Sequence, residues 1–200
     1  MEKKALFIHG LHSDSDSTTG GIVADILKDF GYETLHPTFD LLNCKETSRE
    51  VDMLVREENI SLLAAHSLGG FYGFCLPWTC KKILINPCLK PEIEIPKLMF
   101  EGEVFPDNLL QEWPALRDYQ INHILDLEEK MYMHGIFAKN DDLFSYAEYA
   151  DKEVHFIQGH IHMIEGGHKP TKEALAPVIK KIIYAGIEVS PPMAIPGVNV

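Results

Sequence analysis

Six short apolar runs, separated by segments whose apolar residues fall at helical spacing, constrain this chain more than any other feature. The runs are Ala5–Ile8, Tyr32–His36, Leu62–Ala65, Ile83–Ile85, Met131–Phe137 and Ile161–Ile164. They are short and apolar, as strands covered by helices on both faces should be. Between them, Gly21–Phe30, Thr47–Glu58, a stretch after Ser67 and Tyr119–Lys130 read as helices. Strands alternating with helices predict an α/β fold around a parallel sheet.

Two hundred residues suit one domain with a buried core, spanning residues 1–200. Two stretches depart from the alternation. From about 88 to 117 the chain carries Pro91, Pro96, Pro106 and Pro114 among Leu98, Met99, Phe100, Phe105 and Trp113, and it reads as an insertion at one end of the sheet. From about 189 to 200 the prolines forbid a regular helix. After Asp142, the residues Leu143, Ala147, Ala150, Val154 and Ile157 suit a helix ended by Gly159. Val154–Ile157 could instead be a strand, but the helix leaves the last strand directly before Gly166-Gly167-His168. Thr171 then caps a C-terminal helix, which Pro177 should kink.

The formal net charge is −12 and no Lys/Arg cluster stands against it, so neither nucleic acid nor an anionic membrane is expected as a partner. Cys44, Cys75, Cys80 and Cys88 form no Cys-x-x-Cys pair and read as reduced core thiols. The N-terminal apolar run is too short for a signal-peptide core, which predicts a cytoplasmic protein.

The chemistry concentrates at Leu62-Leu63-Ala64-Ala65-His66-Ser67-Leu68-Gly69-Gly70. A serine between an apolar strand and a helix, with small residues two positions before and after it, fits a sharp turn that lifts the hydroxyl above the sheet. Ala65 and Gly69 meet the steric demand of that turn. The helix starting at Leu68 aims its free N–H groups at the serine, so the Leu68 N–H can stabilise an oxyanion. His9-Gly10 after the first strand lets the chain turn so that the Leu11 N–H supplies a second donor. A strand-end acid is provided by Asp141, with Asp142 as its rival; Asp142 reads better as the N-cap of the following helix. His168 follows the last strand behind two glycines, which free the backbone to bring its ring to Ser67 as general base. His160 and His162 lie before or within that strand and read as strand-face residues. A His160/His162/His168 metal site lacks a completing carboxylate or thiol, so no metal is expected.

Together Leu6-Phe7-Ile8-His9-Gly10, Ala65-His66-Ser67-Leu68-Gly69-Gly70, Ala138-Lys139-Asn140-Asp141-Asp142-Leu143 and Ile164-Glu165-Gly166-Gly167-His168 resemble the α/β-hydrolase superfamily. The resemblance is nearest to small bacterial serine esterases of the YqiA-like type and spans residues 4 to about 185. It implies a three-layer sandwich on a mostly parallel six-stranded sheet in the order 2-1-3-4-5-6. It further implies hydrolysis of a small-molecule ester or thioester through an acyl-enzyme, with no cofactor. Ala65 and Ala138 stand where glycines are usual, and the proline-rich insertion is a further departure. The apolar residues Phe100, Phe105 and Trp113 of that insertion would favour an acyl or aromatic group. Two other readings share the same cleft: a thioesterase with the same Ser67, Asp141 and His168, and a ligand-binding protein without turnover.

Overall fold

The structure is a computed structural model that describes residues 3–76, 80–124, 127–144, 156 and 158–185. Six parallel strands form one sheet: β1 (Lys3–Ile8), β2 (Tyr32–Leu35), β3 (Ile60–His66), β4 (Lys81–Ile85), β5 (Met133–Ala138) and β6 (Ile161–Ile164). Their order is β2-β1-β3-β4-β5-β6, as the resemblance implied. The helices are α1 (Thr18–Lys28), α2 (Cys44–Glu57), α3 (Leu68–Cys75), α4 (Pro91–Glu94), α5 (Leu109–Tyr119), α6 (Leu127–Tyr132) and α7 (Lys172–Tyr184).

Alternate residues of each central strand feed two separate cores. Leu6, Ile8, Leu63, Ala65, Leu84 and Phe137 face α2, α3 and α5 through Val51, Val55, Phe71 and Trp113. Ala5, Phe7, Leu62, Ala64, Ile83, Ile85 and Ile136 face α1 and α7 through Val23, Ile26, Leu175 and Ile179. This two-sided burial explains why β1, β3 and β4 show almost unbroken apolar runs in the sequence.

Helix ends follow local chemistry. Ser17 Oγ accepts from the Gly20 N–H and starts α1 three residues before the expected Gly21. Thr171 caps α7 through the Ala174 N–H as expected, and the helix runs on through Pro177. Tyr119–Lys130 is not one helix: α5 ends at Tyr119, a π-turn follows over Gln120–Ile124, and α6 continues to Tyr132. Strand β5 therefore begins at Met133 rather than Met131, whose side chain is exposed.

The proline-rich stretch is partly helical. Pro91 opens α4, Ile95–Leu98 forms a 3-10 turn, and α5 contains Pro114. Leu109, Ile95 and Trp113 are wholly buried in the first core, and Phe105 packs on Trp113 with ring centroids 5.8 Å apart. Trp113 is thus core rather than pocket lining. The helix expected from Leu143 to Ile157, apart from its first two residues and Phe156, and the tail from 189 lie outside the described residues.

Candidate active site

All the sequence-chosen residues sit at the carboxyl ends of the strands, where ligands bind in open parallel sheets. Ser67 is the single residue between β3 and α3, and its backbone has φ 56° and ψ −123°. A non-glycine residue there carries strain of about 1–3 kcal/mol, which the surrounding bonds must offset. The Ser67 N–H donates to the Ile85 carbonyl at 3.1 Å, and its carbonyl accepts from the Gly70 and Cys88 N–H groups, each at 2.9 Å.

Small residues are needed here for identifiable contacts. A Cβ on Gly69 would lie 2.2 Å from the His9 carbonyl oxygen and 2.4 Å from that of Ile8. A Cβ on Gly73 would meet the Ala65 methyl at 3.2 Å, so the small residue at 65 is matched by another on the facing side of α3. The loop after β1 also runs beside Ser67: a Cβ on Gly10 would lie 3.0 Å from Ser67 Cβ and 3.5 Å from its Oγ. Leu11 follows Gly10 in that turn, and Leu68 is the first residue of α3, where a helix's leading N–H has no carbonyl one turn earlier to donate to.

His9 fixes this loop. Its Nε2 accepts from the Phe39 N–H at 2.9 Å, so its Nδ1 carries the proton and donates to the Gly10 carbonyl at 2.8 Å. Burial lowers the His9 pKa, against smaller opposing effects of the Gly10 bond and Asp14, and keeps this tautomer neutral.

His168 Nδ1 lies 2.9 Å from one Asp141 carboxylate oxygen and 3.1 Å from the other. Both side chains are buried, and the edge of the Phe144 ring packs against the imidazole at 4.9 Å. Asp141 also accepts from the Leu143 and Phe144 N–H groups at 2.8 and 3.0 Å. Burial opposes its charge, but the bonds from His168, Phe144 and Leu143 outweigh that and hold the carboxyl below its usual range. Asp141 thus satisfies the Leu143 and Phe144 N–H groups while also holding His168; the helix that Asp142 is expected to cap lies outside the described residues. One carboxylate has enough lone pairs for all three donors.

Two residues at the site were not singled out from sequence. The Asn86 side chain, at φ 43° just past β4, accepts from the Ala138 N–H at 2.7 Å and donates to the His168 carbonyl at 3.0 Å. His66 Nε2 donates to the same carbonyl at 2.9 Å. Each acts through a partner far away in the chain, so a strand-end Asn or His was the only sequence signal.

His160 and His162 stand apart from this constellation. They join His134 on β5, with His134 and His160 rings stacked at 4.0 Å and His134 Nδ1 3.3 Å from His162 Nε2. Among the described residues no group of three or more His, Cys, Asp or Glu side chains is arranged to hold a metal ion.

Two of these imidazoles give a pH prediction. Burial, reinforced by the neighbouring His168, lowers the His66 pKa to about 4; burial with His160, His162 and Lys81 lowers that of His134 to about 3. Unfolded, both take up a proton near the ordinary value of about 6.5. Stability is therefore whole above pH 6.5 and drains as pH falls toward 4 and below. His66 alone should cost about 2 kcal/mol by pH 5. Urea melts at pH 7.5 and 5 test this; equal stability at both would contradict it.

A scan against protein-family models finds no match, and a search of the curated proteins finds none. Solved structures do match. Est1E from Butyrivibrio proteoclasticus aligns with a TM-score of 0.62 at 14% identity, over 92% of this chain and 89% of Est1E. Mouse alpha/beta hydrolase domain-containing protein 10 aligns with a TM-score of 0.61 at 13% identity, over 91% and 90% of the two chains. FphF, a fluorophosphonate-binding serine hydrolase of Staphylococcus aureus, aligns with a TM-score of 0.58 at 16% identity, over 91% and 82%. With its strand order and the turn at Ser67, the chain has the fold of the α/β-hydrolase superfamily.

Proposed function

We propose that the protein is a serine hydrolase of the YqiA-like esterase kind, cleaving a carboxylic ester through an acyl-enzyme. The observation that carries this reading is the buried His168–Asp141 bond, on a loop tied to the residue next to a strained Ser67. Four buried free cysteines accord with a reducing, cytoplasmic setting.

Ser67 Oγ attacks the ester carbonyl while His168 Nε2 takes its proton, and Asp141 stabilises the imidazolium through Nδ1–H. The Leu11 and Leu68 N–H groups receive the developing oxyanion, each such donor contributing roughly 3 kcal/mol. His168 then protonates the leaving alcohol, the C–O bond breaks, and water repeats the sequence to free the acid and Ser67. Of the three aromatics first linked to substrate, only Phe100 remains a rim candidate. It is 62% exposed and stacks at 4.1 Å on His12, the residue after Leu11.

An acyl-chain-length series of esters and thioesters tests the reading. His168→Ala should lower kcat/KM by at least about 10³-fold on any substrate turned over. His162→Ala should stay within about twofold, since it lies on the β5–β6 cluster. Full activity in His168→Ala, or turnover of no member of the series, would contradict the proposal; a thioester preference would assign the acyl thioesterase form of the same chemistry.

A further inference from the structure

His66 and Asn86 converge on one atom, the backbone carbonyl oxygen of His168. His66 Nε2 stands 2.9 Å and Asn86 Nδ2 3.0 Å from it, and all three residues are buried. Neither donor is ambiguous. A ring nitrogen facing a carbonyl must carry the proton, and His66 is neutral because burial lowers its pKa to about 4. The Asn86 amide is oriented by its other end, whose oxygen accepts from the Ala138 N–H at 2.7 Å.

The need for such anchoring follows from the local sequence. His168 is preceded by Gly166, at φ 116°, and Gly167, so the chain leading to it has little stiffness of its own. Upstream of the ring the Ile164 and Gly166 carbonyls accept from the Lys139 and Asn140 N–H groups, and Asn86 Nδ2 also lies 3.4 Å from the Gly167 carbonyl. The ring itself is held through Nδ1 by Asp141, which leaves the His168 carbonyl to His66 and Asn86. His66 is covalently next to Ser67, and its ring lies 4.8 Å from that of His168. A bond from His66 to His168 therefore links the nucleophile's strand to the base's loop with no intermediary.

We propose that His66 and Asn86 are positioning residues that set His168 against Ser67 by jointly holding the His168 carbonyl. The inference rests on His168 being the base. Misplacing a reacting group by about 1 Å can cost on the order of 10²-fold in rate without weakening substrate binding. The effect should therefore fall on kcat and not on KM.

The test compares wild type, His66→Leu, His66→Gln and Asn86→Asp on one ester, with kcat expressed per site titrated by a fluorophosphonate. His66→Leu removes the donor at similar volume, and kcat should fall about 10- to 100-fold with KM within about twofold. His66→Gln restores an N–H donor and should recover most of that loss. Asn86→Asp keeps the acceptor for Ala138 and tolerates positive φ but cannot donate, and it should lose at least about 10-fold in kcat. Should His66→Leu not fold, the Asn86→Asp result carries the test alone. Retention of kcat within twofold in Asn86→Asp, or a His66→Gln variant no better than His66→Leu, would overturn the inference. Failure of the hydrolase reading would look different: wild type itself would neither turn over nor label.

Discussion

Asp141→Asn should fold and yet lose about 10³- to 10⁴-fold in kcat. The carboxylate accepts from the His168 Nδ1 and from the Leu143 and Phe144 N–H groups. An amide keeps one acceptor oxygen, which the two backbone donors at 2.8 and 3.0 Å will claim because they are fixed by the turn. Its NH₂ then faces His168 and can only donate. That forces the imidazole proton onto Nε2, where it blocks acceptance of the Ser67 proton. The variant keeps its packing, so circular dichroism should match wild type while turnover collapses. Asp142→Asn, the rival position, should stay within about twofold, since Asp142 is exposed. Steady-state kinetics on one ester check both, and a mild Asp141→Asn with a severe Asp142→Asn would reverse the assignment.

The second large effect is on stability. Gly69→Ala puts a methyl carbon 2.2 Å from the His9 carbonyl oxygen and 2.4 Å from that of Ile8, far inside contact distance. Both atoms belong to backbone, at the end of β1 and in the turn held by the two His9 bonds, so neither can swing aside as a side chain would. The start of α3 must move off the sheet, breaking the Gly70–Ser67 turn bond. A loss of at least about 3 kcal/mol follows, which for a chain of this size lowers Tm by roughly 6–12 °C. Gly21 in α1 is the internal contrast. A Cβ there meets nothing within 4 Å, and Gly21→Ala should stabilise by about 0.5–1 kcal/mol through helix propensity. Thermal melts of the two variants separate steric need from mere glycine content; an unperturbed Gly69→Ala would mean that the turn is looser than described.

The parts legible in the sequence are those whose physics is local. A stretch of strand buried on both faces favours apolar residues throughout, which marks Ala5–Ile8 of β1, Leu62–Ala65 of β3 and Ile83–Ile85 of β4. A serine turn with a crowded neighbourhood must have small residues at fixed offsets, which marked Ser67. His168 and Asp141 were legible as strand-end residues in the right order, and the structure joins them. What escaped depends on contacts across long stretches of chain. The His66 and Asn86 bonds to His168 span 102 and 82 residues, and no spacing rule records them. The same holds for Trp113, which looked available to a ligand until the packing of α5 buried it. The start of β5 is not legible near residue 131 because Met131 is apolar yet faces outward.

FphF is described as binding fluorophosphonates, and the same reagent class bears on Ser67 most directly. Treatment of wild type with a fluorophosphonate, followed by intact mass and peptide mapping, should give one phosphonyl adduct on Ser67. Ser67→Ala should give none, and His168→Ala should label at least about 10³-fold more slowly. Wild type that stays unmodified, or a Ser67→Ala variant that labels as fast as wild type, would contradict the assignment of Ser67 as nucleophile.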